Sequence, residues 1–311
     1  MKKKIEIIVP HRDKKKYRLD HILVHMVPNH SRSIFKKMII SQQVYVNFFM
    51  INQPHTMVNP GDKITIFMDI KKKKSDIGEN IALNIIYEDN NILIINKPVG
   101  LVIHPSCGNI NGTLLNALLY YNADLNSIPR SGIIHRLDKN TTGLMVIAKD
   151  LYSYEKLVFL LRKREIIREY DALVFGRIVS GGTINYPIMR HIKKRICMMA
   201  HMSGKISITH YKIIKKLKYY THLRIRIETG RTHQIRVHML HIRHPILGDP
   251  LYKTRNHIPQ GISRKYFEKI RLFSRQALHA SKISFFHPIT NKYMNFKIPL
   301  SLDMLKIIQY L

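Results

Sequence analysis

The sequence predicts an α+β protein in two parts, a small helical and stranded N-terminal module and a larger domain built on a mixed, largely antiparallel sheet. Three observations predict it. At 311 residues the chain is long enough for two domains. Apolar residues, 45% of the total, fall at helical spacing in some stretches and in alternation in others. Strand and helix patterns follow one another without a regular βαβ rhythm, which disfavours a doubly wound sheet.

The module is expected over residues 17–76. Leu19, Ile22, Leu23 and Met26 fall at i, i+3, i+4 and i+7, the spacing of a helix with one buried face. Pro28-Asn29-His30 breaks it, and Ser31 is the expected N-cap of a second helix carrying Ile34, Met38 and Ile39. Arg32, Lys36 and Lys37 put a basic stripe on that helix. Val44 and Val46 alternate as a short strand, Asn59-Pro60-Gly61-Asp62 is a turn, and Ile64, Ile66 and Met68 alternate again. Lys71 to Lys74 with Ser75-Asp76-Ile77-Gly78 lacks any period and reads as the interdomain linker.

The larger domain is expected over 80–311. Ile85-Ile86-Tyr87 and Ile92-Leu93-Ile94-Ile95 flank Asp89-Asn90-Asn91 as a hairpin, and Leu144 to Ala148 is a compact apolar strand. Leu151, Tyr154, Leu157, Val158 and Leu161 form a helical stripe ahead of a strand from Tyr170 to Phe175. Alternation over 206–214 and 220–228 predicts antiparallel ribbons, and a helix is expected to begin near Thr232, after Gly230.

Lysine and arginine total 52 against 20 acidic residues, a formal charge of +32 that argues for a polyanionic partner. Joint enrichment in Lys, Ile and Asn is also what a nucleotide-biased genome produces, so the motifs must carry the functional argument. Two cysteines, Cys107 and Cys197, are too few for a disulfide framework or a cysteine zinc site and fit a reducing compartment. Ile5 to Val9, interrupted by Glu6, is too short for a signal peptide, and no run reaches the roughly eighteen apolar residues of a membrane span. A cytoplasmic protein is expected.

The densest cluster of reactive side chains is Gly132-Ile-Ile-His135-Arg136-Leu137-Asp138-Lys139-Asn140-Thr141-Thr142-Gly143, set between apolar strands. Such residues pack poorly and suit an active site. Arg136 and Lys139 flank Asp138 and favour its ionised, acceptor-only form. A fixed negative charge repels phosphate, so on an RNA-binding surface it needs a chemical reason; as a common turn residue, Asp138 also fits a purely local cap. In Glu228-Thr229-Gly230-Arg231-Thr232-His233-Gln234-Ile235-Arg236-Val237-His238, a cation at a helix start is unfavourable unless an anion offsets it. Asp138 is the candidate partner for Arg231, a phosphate the alternative. His233, His238 and His241 lack an accompanying carboxylate and sit among arginines, which opposes a metal site. Tyr170 reads equally as a half-buried strand aromatic or as a stacking platform for an extruded base.

In their order along the chain, these motifs resemble those of the RluA-type pseudouridine synthases. His135-Arg136-Leu137-Asp138-Lys139-Asn140-Thr141-Thr142-Gly143-Leu144 is similar to the family's catalytic motif. Asn96-Lys97-Pro98 with His104-Pro105, Arg168-Glu169-Tyr170, Thr229 to Arg236, His244-Pro245 and Gly248-Asp249-Pro250 resemble its other motifs. Arg18-Leu19-Asp20 through Gly61-Asp62 resembles an S4 RNA-binding module, except that Phe48-Phe49 follows Val46-Asn47 where that hairpin usually carries Gly.

The resemblance implies an S4-like module joined to a pseudouridine synthase domain. It further implies isomerisation of uridines in large-subunit (23S) ribosomal RNA, at the stem-loop called helix 69, with no metal or cofactor. By it Asp138 is the catalytic carboxylate, Tyr170 stacks on the target uracil, and Arg231 is the ion-pair partner of Asp138. Arg18, Arg32, Lys36 and Lys37 in the module, and His135, Arg136, Lys139 and Arg236 in the larger domain, are the expected RNA contacts. No membrane and no obligate protein partner are expected. The rival reading, an S4-type assembly factor that binds RNA without catalysis, would not require Asp138, Tyr170 and Arg231 together.

Overall fold

The structure, a computed structural model, describes residues 2–11, 16–27, 32–69, 77–106, 108–253 and 264–311. It divides into two compact units, within residues 1–75 and 76–311. Pro28-Asn29-His30, Ser31, the stretch 71–76 and Cys107 lie outside the described residues.

In the first unit β1 (Lys2–Ile8) and β2 (Tyr17–Arg18) lead into α1 (Leu19–Met26) and α2 (Arg32–Ile40). Then follow β3 (Val44–Val46), β4 (Phe49–Ile51), β5 (Met57–Val58) and β6 (Lys63–Asp69). Strand β1 pairs antiparallel with β6 from Lys2↔Asp69 to Ile8↔Lys63, so the unit begins well before residue 17. Leu19, Ile22 and Leu23 of α1 are buried as their spacing requires. In α2 the buried positions are Phe35, Met38 and Ile39, and Ile34, expected inside, is exposed. The i, i+3, i+4 stripe is simply counted from Phe35.

The β3–β4 hairpin turns on Asn47 and Phe48, both left-handed with φ 47° and 72°. Two positive φ angles are what a two-residue hairpin turn demands, which explains why Gly is usual at the second. Asn47 suits its place, accepting from Lys63 N–H at 2.8 Å and donating to Asp62 at 2.8 Å. Phe48 has no such compensation and is 88% exposed.

In the second unit, β7 (Ile85–Glu88) and β8 (Ile92–Lys97) form the expected hairpin, followed by α3 (Leu114–Tyr121). Next come β9 (Thr142–Ala148), α4 (Leu151–Arg162) and β10 (Ile167–Phe175). Five strands complete the middle: β11 (Gly182–Asn185), β12 (Ile188–Arg190), β13 (Met198–Ala200), β14 (Ile208–Lys216) and β15 (Tyr220–Ile227). The chain ends with α5 (Gln234–His241), α6 (Arg264–Leu272), β16 (Leu278–Phe286), β17 (Tyr293–Lys297) and α7 (Leu302–Tyr310).

The large sheet runs β11-β14-β15-β10-β16-β9-β8-β7, with β17 also on β16. Every pairing in it is antiparallel except β16 with β9. Alternate residues of β8 and β9 enter different cores. Leu93, Ile95, Met145 and Ile147 join Tyr170, Leu223 and α3 on one face. Ile92, Ile94, Leu144 and Val146 meet Leu157 of α4 and Phe285 on the other. Both faces are therefore covered, and β9 is buried at every position.

Candidate active site

Between α3 and β9 the chain runs through Arg130, Ser131 and Gly132, all left-handed. A Cβ on Gly132 would lie 1.9 Å from the Ala148 carbonyl oxygen, so no other residue fits there. This sharp turn delivers residues 133–141 across one end of β9, and Asp138 sits on that loop. The loop is held at four points. Lys97 Nζ and Gly100 N–H donate to the Lys139 carbonyl, each at 3.0 Å. Arg275 donates to the Asn140 carbonyl at 3.2 Å, and Gln276 to Thr141 Oγ1 at 3.1 Å. Thr141 N–H closes the turn on the Asp138 carbonyl at 3.0 Å.

Lys97 is fully buried, and its Nζ also donates to the carbonyls of Pro98 (2.7 Å) and Leu101 (3.0 Å). Burial pushes its pKa down to about 7, Asp138 opposing and Arg275 assisting. Arg275 is braced from behind by Asp303, at the start of α7, through two bonds of 2.6 and 2.9 Å.

The Asp138 carboxylate is bonded by Arg236 Nη1 at 2.9 Å, with His233 Nε2 at 3.9 Å. Arg236 holds the buried Asp249 through a second fork, at 2.7 and 2.8 Å, and lies 4.9 Å from the centre of the Tyr252 ring. Burial works against its charge, but Asp249 and then Asp138 outweigh this and raise its hold on the proton. Arg236 is thus the ion-pair partner of Asp138, and Arg231 is not. Arg231 is exposed and donates Nε to the Ile206 carbonyl at 3.3 Å. The physical reason is where the helix begins. His233 is left-handed (φ 56°), so α5 starts at Gln234, two residues later than expected, and Arg236 in its first turn faces Asp138. With its fork occupied by two carboxylates, Arg236 is not a free phosphate contact either.

These groups line a cavity of about 710 Å³. Seven arginines and two carboxylates, Asp138 and Glu228, lie on its wall. Arg130, Arg136, Arg162, Arg164 and Arg231 are exposed, whereas Arg168 and Arg236 are buried. Glu228 is bound to Arg164 and to His210 (2.8 Å), and Asp138 to Arg236. Tyr170, 5% exposed, presents its ring here from β10. Burial raises its phenol pKa, against the pull of Arg168 and with a push from Asp138, so both charges are felt at one ring.

His135, an expected RNA contact, is uncharged in the fold. Its Nε2 accepts from Val146 N–H at 3.1 Å, and burial, aided by Arg168, drives its pKa down to about 3. A neutral imidazole adds no charge toward phosphate. Arg136 is exposed at the cavity, and Lys139 is exposed beside it. In the first unit Arg18 and Arg32 share Asp20, at 3.2 and 2.7 Å, while Lys36 and Lys37 are exposed. Burial of Asp20 is overcome by those two hydrogen-bonding arginines, which hold its carboxyl below the usual range. The three histidines near α5 do not converge: His233 bonds Tyr252, His238 bonds Thr209 and the Tyr186 carbonyl, and His241 packs on the Tyr186 ring. Sequence reasoning quoted Lys97, Arg168 and Asp249 within family-like motifs without giving them a role, and it passed over Arg275. For Arg168 a signal existed, because two residues before Tyr170 on a strand means the same face.

Comparison with known proteins identifies the family. Residues 91–241 match the RNA pseudouridylate synthase family model, and residues 18–64 match the S4 domain. The chain is 54% identical over 315 aligned positions to ribosomal large subunit pseudouridine synthase D of Buchnera aphidicola subsp. Schizaphis graminum, covering 100% of this chain and 99% of that one. To the protein of the same name from Escherichia coli K12 it is 46% identical, covering 94% and 90%. The solved structure of human RNA pseudouridylate synthase domain containing 4 shares the fold, with TM-score 0.56 and 23% identity over 73% of this chain and 92% of that one. Among the described residues no helix is long and apolar enough to cross a membrane. With its two domain matches in order and identities this high over nearly the whole length, the chain belongs to the RluA-type RNA pseudouridine synthases that carry an S4 domain.

Proposed function

We propose that this enzyme converts uridine to pseudouridine in large-subunit (23S) ribosomal RNA, at the stem-loop called helix 69, with Asp138 as its essential carboxylate. The observation that carries the reading is Asp138 itself, held by Arg236 on a four-point loop in an arginine-lined cavity beside Tyr170. The ribosomal substrate is supported by the names of the full-length relatives and by the +32 charge. The S4 unit supplies positioning contacts to the backbone, with Lys36 and Lys37 exposed for them.

The reaction breaks the uridine N1–C1′ bond, turns the uracil and joins C5 to C1′; the C5 proton leaves and N1 gains one. The target base must first leave its stack, which costs a few kcal/mol and less in a loop than in a duplex. Rim arginines on the phosphates and stacking on Tyr170 offset that cost. Asp138 then acts at the sugar, as a nucleophile at C1′ or as the base that takes the 2′ proton. Arg236 keeps the carboxylate aimed.

The test is release of tritium from RNA labelled at uracil C5. Asp138→Asn is expected to abolish release while RNA binding persists; release at the wild-type rate overturns the assignment. Tyr170→Phe keeps a stacking ring and should bind RNA better than Tyr170→Ala, and equal losses would remove the platform role. Mapping pseudouridines in ribosomal RNA from cells lacking the protein, with wild type or Asp138→Asn restored, identifies the sites.

A further inference from the structure

Arg168 is a buried cation for which the mechanism above has no use. It precedes Tyr170 by two residues on β10, so the pleat sends both side chains to the cavity face. The residue is 6% exposed. Among the described residues its one hydrogen bond is from Nη2 to the Glu228 carbonyl, at 3.3 Å, and its buried Nε has no partner. No carboxylate among the described residues pairs with it, since Glu228 serves Arg164 and His210 and Asp138 serves Arg236. Main chain packs closely against the guanidinium, because a Cβ on Gly230 would stand 3.0 Å from Nη1.

A second unpartnered donor lies on the same wall. His135 accepts a backbone N–H at Nε2, so its proton resides on Nδ1, and that nitrogen is also buried without a partner. Each charge or N–H left this way is strongly unfavourable in a folded protein. Each therefore points to an acceptor that arrives with the substrate. A phosphate does not fit the pair well. Exposed arginines already ring the cavity for phosphates, and a neutral imidazole is a donor suited to a carbonyl oxygen.

We propose that Arg168, together with His135 Nδ1–H, binds the carbonyl oxygens of the uracil stacked on Tyr170 and stabilises the uracil anion formed when the N1–C1′ bond breaks. This rests on the isomerase reading above. When that bond breaks, its electron pair stays with N1 and spreads onto O2 and O4. The sugar is satisfied through Asp138, by attack at C1′ or by loss of the 2′ proton. When C5 joins C1′, the pair returns to the new bond as the Asp138–C1′ bond breaks or C2′ regains its proton, and the C5 proton then leaves while N1 gains one. A buried guanidinium acts here as oxyanion-hole donors do, on charge that exists only after the ground state.

The test compares Arg168→Gln with wild type in single turnovers on an unmodified transcript of the helix 69 stem-loop, with uridine or 5-fluorouridine at the target. Bond rearrangement is read by mass spectrometry of the digested RNA. Arg168→Gln is expected to slow reaction of uridine by about 100-fold or more, with RNA affinity within about threefold. Fluorine stabilises the uracil anion by itself, so the deficit on 5-fluorouridine should be markedly smaller. Arg168→Lys, which keeps charge but loses Nε–H, should fall between. An equal deficit on both bases overturns the proposal, as does a loss of affinity with an unchanged rate, which would make Arg168 a phosphate contact. Wild-type inactivity on this transcript overturns the helix 69 reading and the proposal with it. As a folding control, Arg168→Met should melt no lower than wild type, because it removes an unpaired buried charge; a large fall would make Arg168 structural.

Discussion

Replacing Arg236 with methionine keeps a long side chain over Tyr252 but leaves the fully buried Asp249 carboxylate without a cation. Among the described residues Asp249 then retains only the N–H groups of Leu251 and Tyr252, at 2.9 and 3.0 Å. Stranding one member of a buried ion pair costs about 3–5 kcal/mol. For a unit of this size each kcal/mol moves the melting temperature by about 2–4 °C, so the transition should fall by about 6–20 °C. Circular dichroism melts of the full chain measure it. Adding Asp249→Asn to Arg236→Met removes the stranded charge and should recover much of the loss, a coupling that a double-mutant cycle reads directly. Arg231→Met is the control, expected within about 0.5 kcal/mol of wild type because the side chain is exposed. In the tritium assay Arg236→Met should fail and Arg231→Met should retain chemistry. An Arg236→Met protein melting within about 2 °C of wild type, or an Arg231→Met protein that cannot release tritium, would refute the reasoning.

Two further outcomes concern places where the fold works against itself. Phe48→Gly removes a left-handed aromatic that is 88% exposed and should stabilise the first unit by about 1 kcal/mol in chemical denaturation; a loss would mean the ring makes contacts that matter. Lys97 is protonated below pH 7 in folded and unfolded chains alike, whereas between about 7 and its ordinary 10.5 the unfolded chain alone keeps the proton. Wild type should therefore gain stability relative to Lys97→Met as pH rises through that window, by at most about 1.4 kcal/mol per pH unit. Unfolding at pH 6 and pH 9 checks it, and a constant difference would show that Lys97 does not titrate there.

Much of the architecture was legible because its elements are strongly periodic. The β7–β8 hairpin, β9, the β14–β15 ribbon and α4 all follow their apolar spacing. Asp138 stood out because cations, threonines and glycines crowd around it. Two of the errors are shifts of phase along a helix. A left-handed His233 delays α5 and exchanges Arg231 for Arg236; a stripe counted from Phe35 turns Ile34 outward. The roles of Lys97 and Arg275 were hidden for another reason: their acceptors in the Asp138 loop are backbone carbonyls, and long basic side chains ordinarily read as solvated surface. Strand β16 carries buried His279, Ser281 and Ser284, so its polar residues concealed a central strand.

That strand has a bearing on how the molecule is made. β9, which follows directly from the Asp138 loop, is buried at every position, yet one of its two neighbours, β16, meets it through residues 137 positions further on. Until synthesis has passed residue 286, β9 can only be a bare apolar edge, the kind of surface that recruits other chains. Growing polypeptides should thus be vulnerable to aggregation until late in translation, and isomerase activity should emerge all at once with the return of this distant segment.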